Sequence, residues 1–96
     1  MPQSITVRLH RTITLALNDL CTCNYSGQDG GKLYMKNTGT GKVWVSFDPT
    51  KPATVGDVNN VMLATGDFIT FERVARNTVF TLNADTAATI LTLTQL

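Results

Sequence analysis

The chain has 96 residues, 43% of them apolar and 16% charged, with a formal net charge of +1. That length holds one domain with a modest core, and lysines and arginines scattered from Arg8 to Arg76 make no basic stripe of the kind that tracks a phosphate backbone. No apolar run approaches the roughly 20 residues that span a bilayer as helix, and Met1-Pro2-Gln3-Ser4 lacks the charged-then-apolar opening of an export signal. Synthesis and retention in a cytosol, with neither a membrane nor a nucleic acid as partner, is the expectation.

Few charges leave the surface to Thr, Ser, Asn and Gly. Threonine occurs sixteen times, mostly alternating with Val, Ile, Leu or Phe, as on a half-solvated strand face. Ser4 to Leu9 alternates with Ile5, Val7 and Leu9 on one side. Thr12 to Leu17 repeats the pattern with Ile13, Leu15 and Leu17 inward, and Asn18-Asp19 supplies a turn. Leu20 to Tyr25 is a third strand whose apolar set, Cys21, Cys23 and Tyr25, competes with Leu20. Two cysteines one residue apart on a strand share a face, and such neighbours rarely close a relaxed disulfide. A metal site would need two more soft ligands, and the only histidine is His10. The pair reads as two reduced, small hydrophobes facing a core.

Ser26 to Gly31 holds three glycines and is a loop. Lys32 to Lys36, then Asn37-Thr38-Gly39-Thr40-Gly41, then Lys42 to Asp48 reads as a hairpin. An even register brings Leu33 and Met35 to one face with Val43, Val45 and Phe47. With Asn37 paired to Gly41 around a three-residue loop, Tyr34 would lie directly across from Trp44 on the opposite face. Residues 48–57 carry Pro49 and Pro52 and form a long surface excursion. Ala64-Thr65-Gly66-Asp67 is a tight turn, followed by a strand with Ile69 and Phe71 inward. The last hairpin is expected from Thr78–Asn83 and Ala88–Thr94, with Phe80, Leu82, Leu91 and Leu93 in the core. Seven to nine short antiparallel strands in one domain over residues 1–96 make an all-β fold, a jelly-roll-like or Ig-like β-sandwich. Residues 1–25 form edge strands or an arm that contributes to oligomer contacts.

Chemistry has little to work with. His10 falls on a polar strand face beside Arg8 and Arg11, and the seven acids are dispersed, mostly at turns where Asp bonds its own backbone. No catalytic residue, metal ligand or cofactor is assigned. Gly39-Thr40-Gly41-Lys42 lacks the longer glycine frame and the following helix of a phosphate loop. The outward face is richer: Tyr34, Trp44, Phe68, Val79 and Ile90 all fall opposite the inward sets, more apolar material than a lone sheet surface usually shows to water. Either loops fold over them, or they contact another protein chain. Trp and Tyr are enriched at the energetic centres of interfaces, which makes Trp44 the leading contact residue.

Residues 37–47, Asn-Thr-Gly-Thr-Gly-Lys-Val-Trp-Val-Ser-Phe, resemble a hairpin of small tailed-bacteriophage virion proteins. Leu63 to Thr70 is similar to the Leu-x-Pro-Gly-Asp/Glu turn that follows in such chains, with Thr65 where proline is frequent, and Ala84 to Thr92 resembles their closing hairpin. The resemblance covers residues 32–94. It implies a β-sandwich capsid decoration, or cement, protein that assembles as a homotrimer, binds the major capsid protein on the virion surface and stabilises the shell. A tail or neck component is the alternative within the virion. A carbohydrate-binding module, with Tyr34 and Trp44 as a flat platform for a sugar ring, is the alternative outside it.

Overall fold

Alternating β-branched and polar residues favour pleated strands over helix. In the computed structural model, which describes residues 3–96, the chain forms nine strands and no helix. They are β1 (Gln3–Val7), β2 (His10–Leu15), β3 (Cys21–Tyr25), β4 (Gly31–Asn37), β5 (Val43–Ser46), β6 (Val61–Leu63), β7 (Phe68–Val74), β8 (Thr78–Ala84) and β9 (Thr89–Gln95). Two sheets, ordered β1-β3-β8-β5-β6 and β2-β9-β4-β7, pack face to face as an all-β sandwich. Pairing between the named strands is antiparallel except between β1 and β3, which run parallel, and Leu17 forms an isolated parallel bridge with Ala84. Residues 3–25 thus supply one edge strand to each sheet, β1 and β2, and one interior strand, β3. Met1 and Pro2, where the reading of the amino terminus begins, lie outside the described residues.

The core forms where the inward faces meet. Leu15, Leu33, Met35, Leu91 and Leu93 from the four-stranded sheet oppose Val7, Tyr25, Val43, Phe80 and Leu82 from the five-stranded one. Ile69, Phe71 and Phe47 pack at its margin, where Phe47 lies between Phe71 (ring centroids 4.7 Å apart) and Phe80 (5.1 Å). Cys21 and Cys23 share the core face with their sulfurs 3.8 Å apart. Their mutual hydrogen bond and their burial push the Cys23 thiol up, so it stays protonated. Leu9 and Leu17, expected inward, lie past the ends of β1 and β2 and are 62% and 58% exposed; the alternation stops being informative where the strand stops.

The main correction concerns connectivity. Neither expected hairpin exists: β4 lies between β9 and β7, β5 between β8 and β6 in the other sheet, and β8 and β9 are likewise separated. Residues 38–42 and 85–88 are arches that cross from one sheet to the other. Among the nine strands, only β5 and β6 are both consecutive and paired. Alternation places Leu33, Met35, Val43 and Val45 in the core either way, side by side in a hairpin or face to face across an arch. The choice is made by hydrogen bonds that close the first arch and tie it to β6, β9 and the second arch. Asn37, fully buried, donates from Nδ2 to the carbonyls of Gly41 (2.9 Å) and Leu63 (2.9 Å) and accepts from the Gly39 N–H at Oδ1 (3.0 Å). The N–H groups of Thr38 and Gly39 both donate to the Ile90 carbonyl. The Thr89 hydroxyl donates to Thr40 O (2.6 Å), and Asp85 Oδ1 accepts from the Lys42 N–H (2.8 Å). A Cβ on Gly39 would stand 2.3 Å from the Ile90 nitrogen, so only glycine allows this approach.

Candidate interaction surface

Each sheet has an outer face, and the five candidate contact residues divide between them. Tyr34 on β4, Phe68 on β7 and Ile90 on β9 belong to the four-stranded sheet. Trp44 on β5 and Val79 on β8 belong to the other. Tyr34 and Trp44 therefore never pair. Tyr34 is aligned with Thr70 and Thr94, and Trp44 with Asn83 and Met62.

Trp44 requires a second correction. It points away from the core, between Val43 and Val45, as its place in the alternation demands, yet it is only 8% exposed. The excursion 48–60 does not hang in solvent but lies back across this face. The Ala53 N–H donates to the Thr81 hydroxyl (2.8 Å), Asn83 Nδ2 donates to Ala53 O (3.2 Å), and the Ser46 hydroxyl donates to Lys51 O (2.7 Å). Thr81 and Asn83 are the β8 residues aligned with Ser46 and Trp44, so these bonds hold the excursion over the indole. The local signal was present but undirected: Ser46, Thr81 and Asn83 sit at outward positions and are polar enough to bind a backbone. Val79, aligned with Asn24, stays 43% exposed farther along the strand.

The other outer face is uncovered. One row across it reads His10, Thr94, Tyr34, Thr70, the next Thr12, Thr92, Lys36, Phe68, and the last pairs Thr14 with Ile90. Phe68 is 65% exposed and Ile90 37%. The Tyr34 and Phe68 rings are tilted against each other with centroids 5.8 Å apart, one diagonal step on the pleat. His10 Nδ1 lies 2.9 Å from the Thr94 hydroxyl, and Lys32 pairs with Glu72 at 3.4 Å at the border. The result is a broad patch of threonine methyls and hydroxyls, two rings and an isoleucine, with few charges. Among the described residues no group of three or more His, Cys, Asp or Glu side chains could hold a metal ion.

No protein-family model matches the sequence, and no curated protein matches it. Solved structures do match in fold. Aeromonas hydrophila PliG, a periplasmic inhibitor of g-type lysozyme, superposes with a TM-score of 0.62 at 11% identity over 99% of this chain and 97% of that one. The Drosophila melanogaster CENP-C cupin domain gives 0.53 at 14% identity over 92% of this chain. CENP-C bound to CAL1 gives 0.52 at 14% over the same share. This chain spans 60% and 64% of the lengths of those two CENP-C chains. At such identities the likeness is one of fold, the two-sheet β-sandwich.

Proposed function

We propose that this chain is a non-enzymatic virion structural protein, a head decoration protein of a tailed phage that binds the assembled lattice of the major capsid protein through the outer face of the β2-β9-β4-β7 sheet. The observation that carries the reading is that face itself: extended, sparsely charged, and presenting Tyr34, Phe68 and Ile90 to solvent in a register that keeps them on one plane. Burying each such side chain contributes about 1.5–3 kcal/mol. The resemblance of residues 32–94 to small virion proteins supports it. A decoration protein stabilises a shell by binding the assembled form and not its dissociated subunits, so its binding free energy adds to the shell's resistance to opening. Homotrimer formation would multiply weak contacts into a high effective concentration.

Trp44 leaves the list of contact residues, since the excursion 48–60 already covers it, and with it goes the sugar platform, whose two rings lie on opposite sheets. Binding to shells that lack the protein tests the proposal. Phe68→Ser and Ile90→Ser should fold normally and each weaken binding about tenfold, an effect the size of one lost apolar contact. Retention of full binding by the double variant overturns the assignment of the face. Imaging of the decorated particle tests the location: copies spread over the whole shell support decoration, and copies confined to one vertex make the protein a neck or tail component.

A further inference from the structure

The four arginines, Arg8, Arg11, Arg73 and Arg76, are far apart in sequence, and the topology collects them at one end of the sandwich. That end gathers the β1–β2 turn, the β3–β4 loop, the β7–β8 turn and the last residues of β9. Asp19, Asp67 and Asp85 sit at the opposite end, beside the connections that follow β2, β6 and β8. With Lys32 beside them, against the carboxylates of Asp29 and Glu72, the arginines make their end basic although the whole chain carries a net charge of only +1. Within the basic pole a cleft of about 530 Å³ opens between Arg8 and Arg76, with Ser26, Gly27, Gln28 and Gln95 on its walls and Leu9, well exposed, at its rim.

We propose that this cleft binds a carboxylate-bearing peptide segment of a partner protein. One of its two cations is prearranged. Arg76 donates from Nε to the Gly27 carbonyl (3.2 Å) and from its backbone N–H to Asp29 Oδ1 (2.9 Å), which fixes the direction of its guanidinium. Among the described residues neither Arg8 nor Arg76 is in an ion pair. The wall is rigid as well: Gln95 Oε1 accepts from the Gln28 N–H (2.8 Å), and a Cβ on Gly27 would stand 2.5 Å from Arg8 O and 2.8 Å from Tyr25 Cε1. The anchored Arg76 guanidinium, with the unbonded Arg8 guanidinium across the cleft, can bind a carboxylate by forked, charge-assisted hydrogen bonds. Leu9 adds apolar contact for the segment that carries the carboxylate. Peptide is favoured over nucleic acid because no residue lining the cleft is aromatic, leaving no surface for a base to stack on. The site is distinct from the sheet face proposed to meet the shell, and its existence does not depend on that role.

Titration of the isotope-labelled protein with hexaglutamate, followed by NMR, tests the inference. Saturable shifts are expected at the amides of Gly27, Gln28 and Arg76 and at Arg76 Nε, with hexaglutamine producing none. Arg8→Ala, whose side chain makes no structural bond, should weaken hexaglutamate about tenfold, the loss of one charged hydrogen bond. Arg76→Lys keeps the charge, removes the fork and should weaken it by a similar factor while the strand signal in circular dichroism is retained. Shifts spread evenly over the surface, or identical in the Arg8→Ala protein, would overturn the site. Tighter binding of inorganic phosphate or of an oligothymidylate than of hexaglutamate would overturn the peptide assignment.

Discussion

Asn37 shows how much one side chain can decide. Three hydrogen bonds converge on an amide with no access to water, joining the first arch to the end of β6. Asn37→Ala would leave the carbonyls of Gly41 and Leu63 without their side-chain donor in a dry site, and should cost about 2–4 kcal/mol in urea unfolding. Gly39→Ala should cost a comparable amount, because the new methyl meets the backbone of Ile90 and not a side chain that could move aside. Trp44 and Tyr34 now separate as probes. Trp44→Ala removes a large covered side chain and should destabilise by about 3 kcal/mol. Tyr34→Ser, on the open face, should change stability by under about 1 kcal/mol. Equal losses from the two would mean that the faces are covered alike.

At the scale of elements, the excursion 48–60 and the β8–β9 arch are rich in side-chain hydrogen bonds outside the sheets. Trp44 is the only tryptophan, so its emission reports whether the excursion is seated. The native spectrum should be blue-shifted relative to the unfolded chain. A Ser46→Ala/Thr81→Val double variant, lacking the bonds to Lys51 and Ala53, should shift it to the red without loss of strand signal in circular dichroism. The second arch is expected to be sensitive to acid. The Lys42 N–H, aided by the Thr86 hydroxyl, holds the Asp85 carboxyl below its usual value, and the Thr50 hydroxyl and N–H do the same for Asp48 in the excursion. A carboxyl lowered on folding adds stability that is fully present above the unfolded value near ~4 and is lost as pH falls through the folded one. Thermal midpoints should therefore drop as pH is taken below about 4, and the Asp48→Asn/Asp85→Asn variant should show a shallower drop over the same range.

On the scale of the whole molecule, the chain changes sheets at nearly every connection, and the ladders join distant residues: Thr14 aligns with Ile90, Lys36 with Thr92 and Cys21 with Leu82. Such pairing requires long loops to close before contacts compensate for their ordering, so refolding from urea should take milliseconds to seconds. Microsecond refolding would contradict this topology. The same crossing pattern gathers the arginines at one pole and lays Tyr34, Phe68 and Ile90 on one plane, although neither group is contiguous in the chain.

Side-chain alternation by itself determined that the fold is all-β, and it identified which of Leu33, Met35, Val43, Val45, Phe80, Leu82, Leu91 and Leu93 face inward, because a two-residue period is a local property of the strand. Glycine, separately, located the turn at Gly66, where φ is +85° and the Asp67 N–H closes back to Ala64 O. Alternation is the same whether the next strand continues the sheet or crosses the core, so the arches were decided by Asn37, Gly39, Thr89 and Asp85, whose partners Leu63, Ile90, Thr40 and Lys42 are remote in the chain. The fate of Trp44 was decided in the same way. An outward position says only that a side chain leaves the core, and whether water or another stretch of chain meets it depends on bonds that form only when the molecule closes.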